Sequence, residues 1–496
     1  MTRPFATVLD ASTSLDNKTG SWRTMRPEYK SKLPPCNATC PAGSNIQHWL
    51  SLAKEGKIRE AWEEIVKNNP FPAIMGRVCY HTCEKVCNRG QFDGAVNINS
   101  IEKAIGDTAI AKNWQFENTT AAVDGKVLVI GAGPGGLSAA YFLKMLGYNV
   151  TVYDNHRKPG GMMRYGIPRY RLPSDIIDAE IGRIENLGVK IISNKKIDNI
   201  NDVLSEFDAV YVSIGAHLAE KTDVNIEKGA CVISAIDMFQ RLEEEPDTVP
   251  NLGDNVLVYG GGNTAIDAAG TALRRGAKNV KIIYRRTINN MPAHETEIKE
   301  ALDAGIEILC LRTVSSIEKG KVFVDLMNYD EESGILSKTG ETETLCADSI
   351  IFAVGQSVDG GMFREINEIT ISEKGIVKVD KSMMTEAKGI FAGGDIISGK
   401  RSVTHAIGHA KKAAFCIDAY LRGIEYTPNH RKETANSKKI NTSYYKKNPA
   451  IGSKDLTAEE IVVESSRCFS CGNCFHCDNC YGYCPDNAVI KHPDGS

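Results

Sequence analysis

The chain has 496 residues, 42% of them hydrophobic and 24% charged, with a formal net charge of -3. That length holds about two to four domains, with core enough to do without disulfide staples. The slight acidity excludes nucleic-acid binding driven by phosphate neutralisation, and no apolar run approaches the ~18 residues needed to span a bilayer.

Residues 1–34 are polar and irregular and read as an arm lying on a larger surface, with Trp22 as either its anchor or a satellite contact. The opening "MTRPFATVLDASTS" has no apolar h-region, so no secretory signal is read and the cytoplasm is expected. Residues 35–122 set Cys36, Cys40, Cys79, Cys83 and Cys87 among helical patterns. "IQHWLSLAKEGKIREAWEEIV" has apolar residues at helix spacing with a break at Gly56, and "INSIEKAIGDTAIA" is a second such helix. This stretch is expected to be a small α-helical domain.

Residues 123–234 change character. "KVLVIGAGPGGLSAAYFLKMLGYNVTVYD" reads as strand, glycine-rich turn, helix and strand. Gly131, Gly133 and Gly136 fit G-x-G-x-x-G, with Pro134 inside the loop. The first glycine permits the tight turn, the second lets a pyrophosphate approach the backbone, and the third lets helix and strand pack closely. Asp154 ends the second strand, where an acid can accept hydrogen bonds from a ribose.

Residues 235–352 repeat the plan in "NVLVYGGGNTAIDAAGTALRRGAKNVKIIY", with Gly260, Gly262 and Ala265 at the glycine positions. Its second strand ends in Tyr284-Arg285-Arg286, with no acid. Two guanidinium groups there would grip a 2′-phosphate and favour NADP(H) over NAD(H); a solvated charge pair is the plainer alternative. Residues 353–425 hold "KGIFAGGDIIS" and an amphipathic helix, residues 426–465 read as a Lys- and Asn-rich linker, and residues 466–496 form a cysteine tail. Two dinucleotide folds without an obvious third substrate domain suggest FAD in one and a nicotinamide in the other. A bound flavin adapts a two-electron nucleotide to one-electron iron–sulfur clusters.

Of the 15 cysteines, Cys231, Cys310, Cys346 and Cys416 stand among apolar neighbours and are expected to be buried structural thiols. The others gather at the two ends, which in a reducing compartment points to metal rather than disulfides. In the tail, Cys474, Cys477, Cys480 and Cys484 make C-x2-C-x2-C-x3-C-P, the run of bacterial ferredoxins. Zinc is the rival metal for such spacings, but three overlapping C-x2-C steps would crowd it.

"GAGPGGLSAAYFL", "GGMMRYGIPRYRLP", "GGGNTAIDAA", "YRRTINNMPA" and "GIFAGGD" together resemble the glutamate synthase small subunit and its relatives. Those include the flavin–NADPH half of dihydropyrimidine dehydrogenase and the large subunit of NADH-dependent ferredoxin:NADP oxidoreductase. The resemblance covers about residues 35–425 and implies an α/β fold. Glutathione-reductase-like, Rossmann-type FAD and NAD(P) domains would follow an α-helical iron–sulfur domain and precede the ferredoxin-like tail. It further implies that Asp154 meets the FAD ribose, that Gly161, Met162 and Arg171 line FAD, and that Gly394 and Asp395 meet its ribityl or phosphate region. Val403 and Thr404 would open a helix pointing at the flavin's pyrimidine edge. Asn263, Thr264, Arg285 and Arg286 would bind the nicotinamide dinucleotide.

The same family carries two [4Fe-4S] clusters in its helical domain, and its pattern opens with R-C-x-x-C-G. Here no such pair precedes Cys36, but "RCFSCG" opens the tail. The resemblance therefore implies that Cys468 and Cys471 fold back to join Cys36 and Cys87. Cys40, Cys79 and Cys83 would hold a second cluster with Glu102, and Cys474, Cys477, Cys480 and Cys484 a third, unless Cys484 exchanges with another tail thiol. His81 reads as tuning a cluster by hydrogen bonding or as a surface residue rather than a ligand, His405 and His409 read as core or rim packing, and no Ser/His/Asp or paired-carboxylate constellation is seen.

The expected function is that of an electron-transfer oxidoreductase subunit. It would exchange electrons between NAD(P)H and a protein partner through FAD and three [4Fe-4S] clusters. The partner expected is of the 2-oxoacid:ferredoxin oxidoreductase type, or a ferredoxin, in a hetero-oligomer without nucleic acid or membrane. The alternatives are an NADPH-dependent glutamate synthase small subunit and a non-catalytic, cofactor-bearing scaffold.

Overall fold

A computed structural model describes residues 32–220, 222–427, 433–440 and 442–472. Trp22 and Cys474, Cys477, Cys480 and Cys484 lie outside the described residues. The described residues divide into two units, one within 32–64, 81–101 and 433–472, the other within 65–80 and 102–427. No helix among the described residues is long and apolar enough to cross a membrane.

The second unit is built on two parallel sheets. The first takes β1 (Lys126–Ile130), β2 (Asn149–Tyr153), β3 (Lys190–Ile192) and β4 (Ala209–Val212). The chain then leaves for the second sheet: β5 (Val232–Ser234), β6 (Asn255–Tyr259), β7 (Asn279–Tyr284), β8 (Glu307–Cys310) and β9 (Ser349–Phe352). It returns as β10 (Ile390–Ala392), giving the orders β10-β4-β1-β2-β3 and β8-β7-β6-β9-β5. Strands such as Val-Leu-Val-Ile in β1 are apolar along their length because both faces of the sheet are buried there. In each sheet the order reverses at the strand before the glycine loop, the switch point where α/β sheets bind ligands.

The nicotinamide-type sheet starts at Val232, just before the boundary expected at 235, because β5 pairs with β9. An antiparallel sheet not foreseen in the sequence joins Arg312–Glu318, Lys321–Tyr329 and Leu336–Cys346. Cys346 at its end is exposed, which corrects the expectation of a buried thiol; Cys416 is buried and Cys231 and Cys310 are partly so.

The helix Pro72–Val78 belongs to this unit and is capped from afar. Its first amides, at Ala73 and Ile74, both donate to the Glu180 carboxylate at 3.1 Å. Arg183 lies beside it at 3.4 Å. Burial pushes the Glu180 carboxyl up to about 8, against the lowering pull of Arg183 and the two amides. An acid whose folded pKa exceeds its unfolded value favours the fold when protonated. That share of stability is full below the unfolded value of 4.5 and fades as pH rises through 8. Denaturant unfolding should therefore show wild type losing ground to Glu180→Gln between about pH 5 and about pH 9. A stability gap that stays constant over that range would contradict this.

The first unit is helical, with Pro35–Thr39, Ile46–Lys54 and Thr82–Lys85 among its elements and Trp49 and Leu50 fully buried. The stretch expected as a linker over 426–465 is not one. Ala458–Ser465 is a helix opened by a capping box, in which Thr457 accepts from the Glu460 amide and Glu460 accepts from the Thr457 amide. Before it, Leu33 pairs with Thr434 in a parallel bridge. Low local hydrophobicity misled here because the segment is anchored by a few buried residues, apolar Ala435 and Ile461 together with charged Glu464, next to buried Arg467. Arg467 and Glu464 have wholly buried side chains and meet at 2.5 Å.

Candidate functional site

In the second unit both glycine loops open on one cavity of about 1480 Å³. That exceeds the ~300–1,000 Å³ usual for one small-molecule site and has room for two dinucleotides. Gly131 turns the chain at φ 101°, and a Cβ there would lie 2.6 Å from the Ser213 carbonyl. A Cβ on Gly136 would lie 1.7 Å from the Gly131 carbonyl, so Gly136 is the helix–strand packing glycine and stands off the cavity wall. Gly133 and Pro134 start the helix Pro134–Met145 on the cavity, leaving its free amides for phosphate oxygens. Gly161, at φ 51°, would with a Cβ come 2.5 Å from the Gly133 Cα.

Asp154 is held ready at the end of β2. Its carboxylate accepts the Ala132 amide at 2.6 Å and the His156 amide at 2.8 Å. Burial raises its pKa while those amides oppose the rise, and each oxygen keeps a lone pair for a ribose hydroxyl. Met162, Gly394, Asp395 and Val403 line the same cavity. Burial pushes the Asp395 carboxyl up to about 6, against the pull of Arg401. Ser402 caps the helix Val403–Leu421 by accepting the His405 amide. Thr404 stands off the wall, its Oγ1 3.5 Å from Cys79 Sγ. Arg171 lines the cavity too, but its guanidinium is engaged by Asp267 at 2.8 and 2.9 Å and Glu297 at 2.6 Å.

The second loop has a more open cradle. A Cβ on Gly260 would meet the Ala353 carbonyl at 2.2 Å, whereas one on Gly262 would meet nothing within 4 Å. Gly262 therefore leaves backbone free for a pyrophosphate. Asn263 and Thr264 line the cavity. Asn263 Oδ1 accepts the His294 amide at 2.8 Å, and its Nδ2 donates to Tyr80 Oη at 2.5 Å. Arg285 and Arg286 both line the cavity, Arg285 exposed and Arg286 partly buried with its Nε unpartnered. Neither makes an ion pair among the described residues, so both charges are available to an anion. Sequence reasoning missed Tyr80, which stacks on His294 at 5.7 Å between ring centres. A lone tyrosine beside a cysteine carries no periodic signal that could have found it.

In the first unit Cys36, Cys87, Cys468 and Cys471 line a second, small cavity with Gln47, Asn88 and Phe469. Burial and then the neighbouring thiols push the Cys36 pKa far up; burial pushes Cys468 up to about 12 and raises Cys471. Buried thiols crowded together in this way fit a group that takes them as thiolates. No three His, Cys, Asp or Glu side chains among the described residues converge on a point fit for a single ion. Of the other expected ligands, Cys40 and Cys83 belong to this unit. Cys79 and Glu102 belong to the other, where Glu102 accepts from Asn69 Nδ2 at 2.9 Å.

The chain matches Pyridine nucleotide-disulphide oxidoreductase over residues 125–410. It matches Dihydropyrimidine dehydrogenase domain II, 4Fe-4S cluster, over residues 21–114. It is 34% identical to NADP(+)-dependent formate dehydrogenase subunit beta of Moorella thermoacetica, over 80% of this chain and 61% of that one. It thus spans about three fifths of that relative's length. It is 32% identical to the glutamate synthase [NADPH] small chain of Azospirillum brasilense, covering 80% of this chain and 88% of the relative. It is 31% identical to the NAD-dependent dihydropyrimidine dehydrogenase subunit PreT of Escherichia coli K12, covering 78% and 91%. Among solved structures, FprA of Mycobacterium tuberculosis in complex with NADPH shares the fold, with a TM-score of 0.51 at 16% identity over 60% of this chain and 85% of that one.

Proposed function

The chain belongs to the pyridine nucleotide-disulphide oxidoreductase family, and from that membership we propose that it exchanges electrons between NADP(H) and a protein redox partner. The observation that carries this reading is the single cavity shared by two glycine loops, one with an acid and the other with paired arginines at the end of the strand that follows. FAD, when bound at the first loop, supplies the conversion between hydride and single-electron transfer. The chain's own residues do the rest. Gly131, Gly133 and the helix start hold the pyrophosphate of FAD, and Asp154 its ribose. Gly262 and Asn263 admit the second dinucleotide, and Arg285 and Arg286 clasp its 2′-phosphate.

In the first unit, Cys36, Cys87, Cys468 and Cys471 would hold a [4Fe-4S] cluster. A second, at Cys40, Cys79, Cys83 and Glu102, is supported by the resemblance and the match over residues 21–114, and a third in the tail by its cysteine spacing. The partner would be a 2-oxoacid:ferredoxin oxidoreductase-type subunit or a ferredoxin, in a hetero-oligomer. Several relatives are named as glutamate synthase small chains, so co-purification with a large glutaminase subunit would turn the reading to that alternative.

Anaerobic mixing of the purified full chain with NADPH should bleach its flavin absorbance. A flavin that stays oxidised with both NADPH and NADH would sink the proposal. Arg285→Ala with Arg286→Ala should raise KM for NADPH about 10- to 100-fold, the loss of roughly 1.5–3 kcal/mol of charge-assisted bonding, and leave that for NADH little changed. Equal effects on both nucleotides would mean that the pair does not read the 2′-phosphate.

A further inference from the structure

Asn88 is buried and directly follows Cys87. Its side-chain Nδ2 donates to two acceptors, the Ala435 carbonyl at 3.3 Å and Cys471 Sγ at 3.4 Å. A carbonyl only accepts, so the Ala435 contact decides which end of the amide faces the sulfur. The loop from Cys468 to Cys471 is shaped to match. Ser470 sits at φ 50°, in the left-handed region a non-glycine residue seldom adopts. Gln47 Nε2 donates to Ser470 Oγ at 2.6 Å, and in this turn the Ser470 amide donates to Cys468 Sγ at 3.4 Å. Cys468 Sγ and Cys471 Sγ thus each carry an N–H donor, and Cys471 has one from a side chain that can be changed without touching the backbone.

An N–H donated to a ligating sulfur stabilises the extra negative charge of a reduced iron–sulfur cluster and raises its reduction potential. We propose that Asn88 is a positioning residue that holds up the reduction potential of the cluster at Cys36, Cys87, Cys468 and Cys471, by donating to Cys471 Sγ. This rests on the reading that those four thiols hold a [4Fe-4S] cluster. The donor eases arrival of an electron at this site, so Asn88 acts on the poise of the relay and not on nucleotide binding.

The test compares full-length Asn88→Leu and Asn88→Asp with wild type in anaerobic redox titrations followed by electron paramagnetic resonance. Both variants remove the N–H and keep the branched side chain, aspartate at nearly the same volume and leucine at a larger one. Iron and flavin contents should match wild type, while one cluster's midpoint falls. At the wild-type midpoint its reduced-to-oxidised ratio should drop about tenfold in Asn88→Leu, which is about 59 mV for a one-electron couple. The drop should be larger in Asn88→Asp, whose carboxylate adds repulsion. Wild-type midpoints in both variants overturn the proposal, and so does loss of the cluster from both, which would make Asn88 a residue of assembly. The underlying reading fails separately: Cys471→Ser would then keep the full wild-type iron content.

Discussion

Serine at both Cys468 and Cys471 should lower the iron content by one cluster, about four irons and four sulfides per chain, while the flavin content stays at the wild-type level. The expectation follows from where the thiols lie. The two tail cysteines share a cavity with Cys36 and Cys87 although more than 380 residues separate Cys87 from Cys471 in the chain. Serine oxygen is a poor ligand for iron in place of thiolate, so half the ligand set is lost. The FAD-type loop is in the other unit and depends on none of these residues. Metal analysis on anaerobically prepared protein decides it, and a variant with undiminished iron and sulfide would mean that the four thiols hold no cluster.

Arg467→Met should be among the most destabilising single changes in the first unit, costing roughly 3–5 kcal/mol. The Arg467 side chain has no exposed area. Its Nε donates to the Asn448 carbonyl at 2.8 Å and its Nη1 to the Ala95 carbonyl at 2.9 Å and Glu464 at 2.5 Å. Its Nη2 donates to the Gly94 carbonyl at 2.7 Å. Glu464 in turn accepts the amides of Asn97 at 2.8 Å and Ile451 at 2.9 Å. Arg89 pairs with Asp93 at 2.6 Å, donates to the Arg467 carbonyl and lies 4.9 Å from the centre of the Phe469 ring. Methionine would fill similar space but leave the Glu464 carboxylate buried without its cation and three carbonyls without donors. Lysine, a point charge on a flexible stem, cannot serve acceptors on several sides and should recover only part of the loss. Urea unfolding and limited proteolysis between residues 433 and 472 measure this. Wild-type resistance in Arg467→Met would remove the ionic network from any role in docking the tail.

Much of the nucleotide site was legible in the chain itself. The βαβ pattern around Gly131, Gly133 and Gly136 is local, and so are the chemical demands on it. A turn at positive φ, a helix start and a close crossing all fall within a few residues, so each leaves a mark in the sequence. The same holds for the acid at Asp154 and the arginines after Tyr284. What was not legible depends on contacts between distant segments. Arg171 reads as a flavin-lining residue, yet its partners are Asp267 and Glu297, 96 and 126 positions on. Tyr80 reaches Asn263 across 183 positions. The 426–465 stretch looked like a linker because its hydrophobic content is low, and average hydrophobicity was the wrong quantity to weigh where a few buried residues, Ala435, Ile461 and Glu464, do the anchoring.

By its sequence alone, this protein was determined to be an oxidoreductase of two dinucleotide folds with thiols grouped for iron, since glycine spacing and cysteine spacing are short-range constraints that one chain segment satisfies by itself. That Cys468 and Cys471 join Cys36 and Cys87 was expected from the resemblance, and what holds them beside one cavity was decided only by the tertiary structure. Cys468 and Cys471 come to Cys36 and Cys87 because Arg467 and Glu464 exchange their hydration for buried carbonyls, amides and each other, and those partners are assembled only once the distant segments have packed together.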